Sequence, residues 1–171
     1  MTLACGDYDR TQALLNGLVP IKGIALTCFA LEPNEMFRRM LGNEEFDVSE
    51  MSLSNYVMER SEGNFRFTAI PVFLSRTFRH SSIYVNARAK IREARDLIGK
   101  KVGVSEYHST AALWIRGILQ DEYQIDAAEI NWVSGGMERP SEGDRMKNFT
   151  PPPGVRIEKS GADPCLRGLQ P

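Results

Sequence analysis

The sequence lacks any apolar run long enough to cross a bilayer, so it predicts no membrane-spanning helix and no membrane partner. The first residues show no basic stretch followed by an apolar one, which argues against a signal peptide and for a cytoplasmic protein. The formal net charge is only -1, and no run of lysine and arginine occurs, so no nucleic-acid partner is expected. Cys5, Cys28 and Cys165 are widely scattered, which indicates reduced thiols rather than a disulfide framework.

Several familiar catalytic motifs are also missing. The chain has no glycine-rich phosphate loop and no Gly-x-Ser-x-Gly nucleophile elbow. Its two histidines, His80 and His108, lie far apart in sequence without a cysteine motif, so no zinc site is expected. What remains is an ordinary globular composition of 171 residues, 42% hydrophobic and 25% charged, which suffices for one substantial core or two small lobes.

Strand-like and helix-like patterns alternate along most of the chain. Strands are predicted at residues 3–6, 24–31, 46–50, 67–73, 82–85, 101–104 and 130–133, with 154–158 as a last candidate. Helices are predicted at residues 9–17, 33–42, 51–63 and 110–123, with a helical stub within 91–100. Such alternation is typical of an α/β protein whose mostly parallel sheet is covered by helices. From Met137 onward the pattern fails, and residues 160–171 show neither period.

The segment 70–86 contains the most polar connection between two predicted strands. It holds Arg76, Arg79 and His80 together with four serine and threonine hydroxyls. An arginine guanidinium matches a carboxylate with two parallel hydrogen bonds, and histidine gains or loses a proton near neutral pH. The segment therefore suits an anionic ligand held between strand ends, although a solvated basic loop explains the same composition.

Polar side chains also follow the other predicted strands. In open parallel sheets, ligands bind outside the carboxyl ends of the strands, so these positions form a candidate cleft. They are Asp7, Tyr8, Asp9 and Arg10; Glu50, Ser52, Ser54, Asn55 and Tyr56; and Ser105, Glu106, Tyr107, His108, Ser109 and Thr110. Glu50 needs a partner at the end of an apolar strand, and Arg76 or Arg79 is the expected one.

Structural roles explain several of these residues without any ligand. Helix caps are expected at Asp9, Ser54 and Ser109, packed aromatics at Tyr8 and Tyr56, and an exposed loop residue at His108. The helix at 110–123 is expected to turn an apolar face inward and Arg116 outward.

Seven stretches of the sequence resemble the 4,5-dihydroxyphthalate decarboxylase family. They are residues 3–12 (LACGDYDRTQ), 32–40 (EPNEMFRRM), 46–54 (FDVSEMSLS), 69–73 (AIPVF), 78–86 (FRHSSIYVN), 99–107 (GKKVGVSEY) and 117–123 (GILQDEY). The resemblance implies a type-II periplasmic-binding-protein-like fold, in which two α/β lobes hold the ligand between them. It places a first lobe at 1–95, an incomplete second lobe at 96–158 and a disordered, non-family tail at 159–171. Family members are about twice as long, so a truncated, inactive chain is expected.

The resemblance implies a carboxy-lyase that converts 4,5-dihydroxyphthalate to protocatechuate without oxidation. Deprotonating the hydroxyl para to the departing carboxylate lets the ring carbon take a proton before carbon dioxide leaves, which needs a base, an acid and cationic clamps. The implied catalytic residues are His80, Glu50 and Asp7. The implied substrate-binding residues are Arg76, Arg79, Ser52, Ser82, Glu106, Tyr107, Ser109 and Thr110. The scheme needs no organic cofactor, the sequence has no motif for a metal ion, and a homo-oligomer stays open.

Two other functions fit the same features. The first is a binding module that captures a small anion on the same fold without chemistry, and the absence of a signal peptide argues against it. The second is an enzyme of pyrimidine or menaquinone precursor synthesis on the same fold, which would differ only in its ligand. Turnover of a dihydroxyphthalate separates decarboxylation from binding alone.

Overall fold

The computed structural model describes residues 1–63, 66–136 and 149–160. They form two compact α/β units, the first at Met1–Thr77 and the second beginning at Phe78. Most of the predicted tail at 159–171, including Cys165, lies outside the described residues. Over the described ranges, no helix combines the length and the apolar character that a membrane crossing needs.

The first unit contains a three-stranded parallel sheet in the order β2-β1-β3. Its strands are β1 (Thr2–Cys5), β2 (Thr27–Ala30) and β3 (Val48–Ser49), and its described helices are α1 (Gln12–Leu15), α2 (Pro33–Asn43) and α3 (Leu53–Ser61). β1 is central, because Leu3 pairs with Cys28 of β2 on one side and with Val48 of β3 on the other. The carboxyl ends of β1 and β3 therefore lie side by side at one edge of the sheet.

The core of the first unit lies between the sheet and α2. It contains Ala4, Met36, Met40 and Phe46, each at most 9% exposed. Met36 and Met40 stand four residues apart and so lie on one face of α2, as the helical spacing predicts. The helix begins at Pro33, whose fixed φ suits a first helical position, and ends before Glu44, which adopts a left-handed conformation with φ of 51°.

The second unit contains another three-stranded parallel sheet, in the order β4-β5-β6. Its strands are β4 (Lys101–Val104), β5 (Asn131–Ser134) and β6 (Arg156–Lys159), and α4 (Thr110–Tyr123) connects β4 to β5 together with a 3₁₀ turn at Ala127–Glu129. A second 3₁₀ turn, Ala94–Leu97, precedes β4. The prediction of β4 and α4 is confirmed in full, since Ser109 begins the helix and Gln124, in a left-handed conformation, ends it.

The core of the second unit centres on Trp132 of β5. Its ring is 1% exposed and packs with Leu119, Ile125 and Ile130, and its indole nitrogen donates a hydrogen bond of 2.8 Å to the carbonyl oxygen of Ala127. The bond satisfies the one polar atom that burying the ring removes from water. The second unit therefore has a core of its own.

Two predicted strands, 67–73 and 82–85, are wrong. From residue 66 to residue 93, all of which are described, the chain forms neither helix nor strand. A strand is stable only beside a neighbour that takes its backbone hydrogen bonds, and Pro71 removes one donor from the first segment. Val72 and Phe73 stay 58% and 62% exposed, so their apolar side chains gain no core either.

Two predicted helix caps are also corrected. The first helix begins at Gln12 with Thr11 at the N-cap position, while the Asp9 carboxylate instead accepts hydrogen bonds from Arg10. The third helix begins after Ser52, and Ser54 lies within its first turn. In both cases the pattern located the helix but misplaced its start by two residues, which is where several hydroxyl or carboxylate side chains compete for the cap position.

Candidate active site

Glu50 follows β3 directly and stands at the carboxyl edge of the first sheet. Its backbone N–H donates to the carbonyl oxygen of Ala4 at 2.9 Å, which continues the pairing of β3 with β1. Its carboxylate turns towards the loop after β1: Oε2 accepts from the N–H of Gly6 at 3.2 Å, and Oε1 accepts from the phenol of Tyr8 at 3.1 Å. The carboxylate is therefore bound by a backbone N–H and a phenol, whereas the sequence predicted an arginine as its partner.

Thr11 holds the loop after β1 in place. It is 2% exposed, and its hydroxyl donates to the Gly6 carbonyl at 2.9 Å while accepting from the Tyr8 N–H at 3.0 Å. The Tyr8 N–H also donates to the Gly6 carbonyl, at 3.0 Å. One buried hydroxyl thus ties the two residues that contact Glu50, and the carboxylate meets a pre-formed loop.

Arg10 supplies a positive charge beside the Tyr8 ring. Its guanidinium carbon lies 4.8 Å from the ring centroid, and its Nε donates to the carbonyl oxygen of Leu74 at 2.6 Å. Partial burial, followed by the negative charge of Glu50, raises the pKa of the Tyr8 phenol. We call Gly6, Tyr8, Arg10, Thr11 and Glu50 the Glu50 cluster; it combines a fixed carboxylate, a protonated phenol and a guanidinium.

Asp7, the other predicted acid of this loop, is exposed and accepts a hydrogen bond from the side-chain amide of Gln12. Arg76 is also exposed, and its Nε donates to the carbonyl oxygen of Phe73 at 3.2 Å. Both residues belong to the first unit, and each keeps polar atoms towards solvent. Their predicted roles as acid and clamp stay predictions.

The first turn of α3 collects three buried polar side chains beside Glu50 in sequence. Ser52, Ser54 and Asn55 are 6%, 4% and 0% exposed, and the two serine hydroxyls lie 3.1 Å apart. Among the described residues, the Asn55 side chain finds no hydrogen-bond partner for its oxygen or its nitrogen. The predicted substrate contact of Ser52 stays a prediction.

The predicted residues Arg79, His80 and Ser82 belong to the second unit. His80 Nε2 lies 2.8 Å from Glu122 Oε1 on α4, and its ring stacks on Phe78 with centroids 4.6 Å apart. The backbone N–H of Ser82 donates to the carbonyl oxygen of Arg79 at 3.0 Å, which closes a turn around the histidine. The structure therefore gives His80 a carboxylate partner, Glu122, that the sequence did not indicate.

The loop after β4 contains the other predicted substrate-binding residues. Ser109 accepts from the N–H of Ala112 at 3.4 Å, so its predicted role as a helix cap is confirmed, and Thr110 is the first helical residue. Glu106 lies with Oε2 3.6 Å from Nε2 of His108. His108 is only 3% exposed, so the prediction of an exposed loop residue is wrong.

Arg116 is the residue of α4 whose environment differs most from its prediction. Its guanidinium carbon lies 3.7 Å from the centroid of the Tyr107 ring, and its Nη1 donates to the Tyr107 carbonyl at 2.6 Å. Burial lowers the pKa of Arg116. Tyr107 itself is 3% exposed and packs edge-on against Trp132, so its ring serves the core, and its predicted substrate contact stays a prediction.

A metal centre finds no support among the described side chains, where no three histidine, cysteine, aspartate or glutamate residues group so as to hold an ion. The arrangement with the most chemistry is the Glu50 cluster. Sequence reasoning singled out Glu50 but treated Tyr8 as a packed aromatic. The available signal was Gly6, a glycine two residues before a tyrosine at the end of a buried strand.

Two curated proteins are similar to this chain in sequence. The 4,5-dihydroxyphthalate decarboxylase of Comamonas testosteroni is 40% identical over 157 residues, which are 92% of this chain and 47% of that protein. The 4,5-dihydroxyphthalate decarboxylase of Pseudomonas putida is 34% identical over 169 residues, which are 99% of this chain and 65% of that protein. The chain thus spans about half to two thirds of the length of these relatives. No protein-family model matches it.

Proposed function

Because the chain belongs by sequence to the 4,5-dihydroxyphthalate decarboxylase family, we propose that it acts in the non-oxidative decarboxylation of 4,5-dihydroxyphthalate to protocatechuate. The observation that carries the proposal is the carboxylate of Glu50, fixed by Gly6 and Tyr8 at the carboxyl edge of a parallel sheet. Ligands of open α/β folds bind at such edges. A carboxylate held by two donors keeps lone pairs for a third, which suits a base for a phenol.

The reaction replaces a carbon–carbon bond by a carbon–hydrogen bond and needs neither an oxidant nor a reductant. A base removes the proton of the hydroxyl para to the leaving carboxylate, and an acid delivers a proton to the ring carbon. The bond to the carboxylate then breaks, its electron pair returns to the ring, and carbon dioxide leaves. Glu50 is proposed as the base, with His80 and Asp7 as the other proton-transfer residues.

The two carboxylates of the substrate need cations. Arg76 and Arg79 are the clamps proposed from sequence, since a guanidinium binds a carboxylate through two parallel hydrogen bonds. We add Arg10 to these proposed clamps, because its guanidinium lies over the Tyr8 ring within the Glu50 cluster. Its guanidinium would hold an anionic substrate beside the base and would also favour the phenolate that forms.

The finer fold is part of the proposal. The chain has two α/β units, each built on a parallel sheet. They support a type-II periplasmic-binding-protein-like architecture, with the first unit as its first lobe. The structure divides the chain at Phe78, and the lobes predicted at 1–95 and 96–158 stay a proposal for this architecture. We also propose a cytoplasmic location and a small aromatic dicarboxylate as the partner.

The test is an assay of the purified chain with 4,5-dihydroxyphthalate, following carbon dioxide release and protocatechuate formation. Glu50→Gln keeps the shape of the side chain but removes the base, and we expect a loss of activity of about 10²-fold or more, the contribution usual for a proton-transfer group. Glu62→Gln, on an exposed residue just after α3, is the matched control and should keep full activity.

Equal activity of Glu50→Gln and the unchanged chain would contradict the role of Glu50. Absence of turnover by the chain, with saturable binding of the same compound, would replace decarboxylation by anion binding. Absence of both would contradict the proposed function for this chain and would agree with the inactive chain expected from the sequence.

A further inference from the structure

Gly6 is a glycine whose missing side chain makes room for a functional group. A Cβ placed on Gly6 would lie 2.5 Å from Cζ, 2.6 Å from the hydroxyl oxygen and 2.7 Å from Cε2 of Tyr8. Such distances are far inside van der Waals contact, so the ring can occupy this place only above a glycine. By contrast, a Cβ on Gly42 or Gly117 would meet nothing within 4 Å.

The need for glycine here is one of space, because Gly6 is not among the residues with positive φ. Any amino acid could adopt its backbone conformation, but only glycine leaves the phenol against the backbone. There the phenol reaches Oε1 of Glu50 while the Gly6 N–H reaches Oε2. Gly6 therefore sets both contacts of the carboxylate, one by its N–H and one by its lack of a side chain.

The position of the Tyr8 hydroxyl is unsuited to a residue that only packs. A tyrosine that fills a core usually points its hydroxyl to solvent or to a backbone carbonyl, whereas this one donates to a carboxylate. The Arg10 guanidinium also covers the ring. The hydroxyl therefore lies against a carboxylate, at the edge of the sheet where a substrate is proposed to bind.

We propose that Tyr8 and Glu50 together recognise the reacting phenolic hydroxyl of the substrate and handle its proton. The inference rests on the proposed function. The substrate O–H donates to Glu50; its O–H bond breaks, the proton joins the carboxylate, and the electron pair stays on the substrate oxygen. As Glu50 becomes neutral it holds the Tyr8 O–H less strongly, and that O–H donates to the new phenolate.

The electrostatics of the pair agree with this assignment. Burial and the charge of Glu50 keep Tyr8 protonated, so that it is available as a donor throughout the working pH range. A fixed donor aimed at a developing anion stabilises that anion more than it stabilises the neutral hydroxyl. The step needs no further reactant, since its proton comes from the substrate and its charge stays on the substrate.

The prediction concerns selectivity for hydroxyl groups. We compare 4,5-dihydroxyphthalate with phthalate, which carries the same carboxylates and lacks both hydroxyls, by calorimetric titration of the full chain. The unchanged chain should prefer the dihydroxy compound by tenfold or more. Tyr8→Phe removes only the hydroxyl and should lower that preference about tenfold, leaving phthalate affinity unchanged, as expected for one hydrogen bond to a charged group.

Two further variants sharpen the comparison. Gly6→Ala pushes the ring away from Glu50 and should reduce the preference as Tyr8→Phe does. Tyr123→Phe is the matched control, because Tyr123 is the last residue of α4, is 44% exposed and lies outside the Glu50 cluster. It should leave the preference intact. Circular dichroism of each variant verifies its fold, and Tyr8→Phe remains a test if Gly6→Ala does not fold.

A Tyr8→Phe variant that keeps the full preference would overturn the inference, as would an equal loss in Tyr123→Phe. If the chain releases carbon dioxide but Tyr8→Phe retains both preference and rate, only the inference fails. If the preference depends on Tyr8 but no carbon dioxide is released, only the proposed decarboxylation fails. Binding of neither compound would overturn both.

Discussion

Asn55 offers the sharpest test of the packing in the first unit. It is the third residue of α3, it is 0% exposed, and both polar atoms of its side chain lack hydrogen-bond partners among the described residues. Both atoms lose their hydrogen bonds to water when the unit folds, and no described residue replaces those bonds. We therefore expect Asn55→Leu to stabilise the first unit, although a polar-to-apolar change in a core is usually harmful.

The magnitude follows from three competing terms. Removing the unpaired donor and acceptor relieves a penalty of about 1–3 kcal/mol for each. Burying leucine in its place contributes about 1.5–3 kcal/mol. Leucine has a different shape, and fitting it into a packed site costs about 1–3 kcal/mol. The burial of leucine and the cost of fitting it nearly cancel, so the polar relief decides the sign, and the expected gain of about 2–6 kcal/mol raises the melting temperature by about 4–8 °C per kcal/mol in a unit of this size.

Thermal and urea unfolding followed by circular dichroism measure the effect. Both tryptophans, Trp114 and Trp132, lie in the second unit, so their fluorescence reports on that unit and provides an internal comparison. The matched control is Asn34→Leu, which makes the same exchange in the first turn of α2 at an exposed position. It should change stability by about 0.5 kcal/mol or less. A loss of stability in Asn55→Leu would refute the reasoning and show that the carboxamide is hydrogen-bonded in solution.

Two further predictions concern charged groups. Arg116→Lys keeps the charge but loses the flat stack on Tyr107 and its hydrogen bond, and urea unfolding followed by tryptophan fluorescence should show a loss of about 1–2 kcal/mol, against little change in the exposed control Arg92→Lys. Hydrogen bonds from Thr2 lower the pKa of Asp47, so its stabilising effect is present above the ordinary aspartate pKa and lost as pH falls through the lowered value. The melting temperature of Asp47→Asn should therefore lie below that of the unchanged chain at pH 7 and converge with it in acid; a gap that is constant with pH would contradict this.

The second unit was the easier part to predict. β4 and α4 lie where the pattern placed them, because each is defined locally: a short apolar run, a serine cap and a helical apolar stripe. Arg116 was misplaced because a helical wheel treats a long cation as a solvent group. Its stem and flat guanidinium can instead lie along a neighbouring aromatic ring, and that ring belongs to a loop outside the helix.

The segment at residues 66–93 shows the opposite limit. Its residues alternate as strand residues do, yet Val72 and Phe73 are exposed and unpaired with any described strand. Local propensity reports that a segment suits a sheet, whereas a strand exists only where a neighbour supplies its hydrogen bonds. The same reasoning explains why the Tyr8–Glu50 contact was missed, since it joins residues 42 positions apart through the pairing of two strands.

The pairing of β3 with β1 is flanked by side-chain contacts at both ends of β3, from Asp47 before the strand and from Glu50 after it. At its start, the Asp47 carboxylate accepts from the N–H of Thr2 at 2.7 Å, and the Asp47 N–H donates to the Thr2 hydroxyl at 2.9 Å. β3 has only two paired residues, so few ladder bonds set its register, and a shift by one residue would turn Glu50 to the other face of the sheet. The Thr2–Asp47 pair therefore supports the placement of Glu50 against Gly6 and Tyr8. If this is correct, Asp47→Asn should weaken not only stability at pH 7 but also the preference for a dihydroxylated ligand, by an effect smaller than that of Tyr8→Phe.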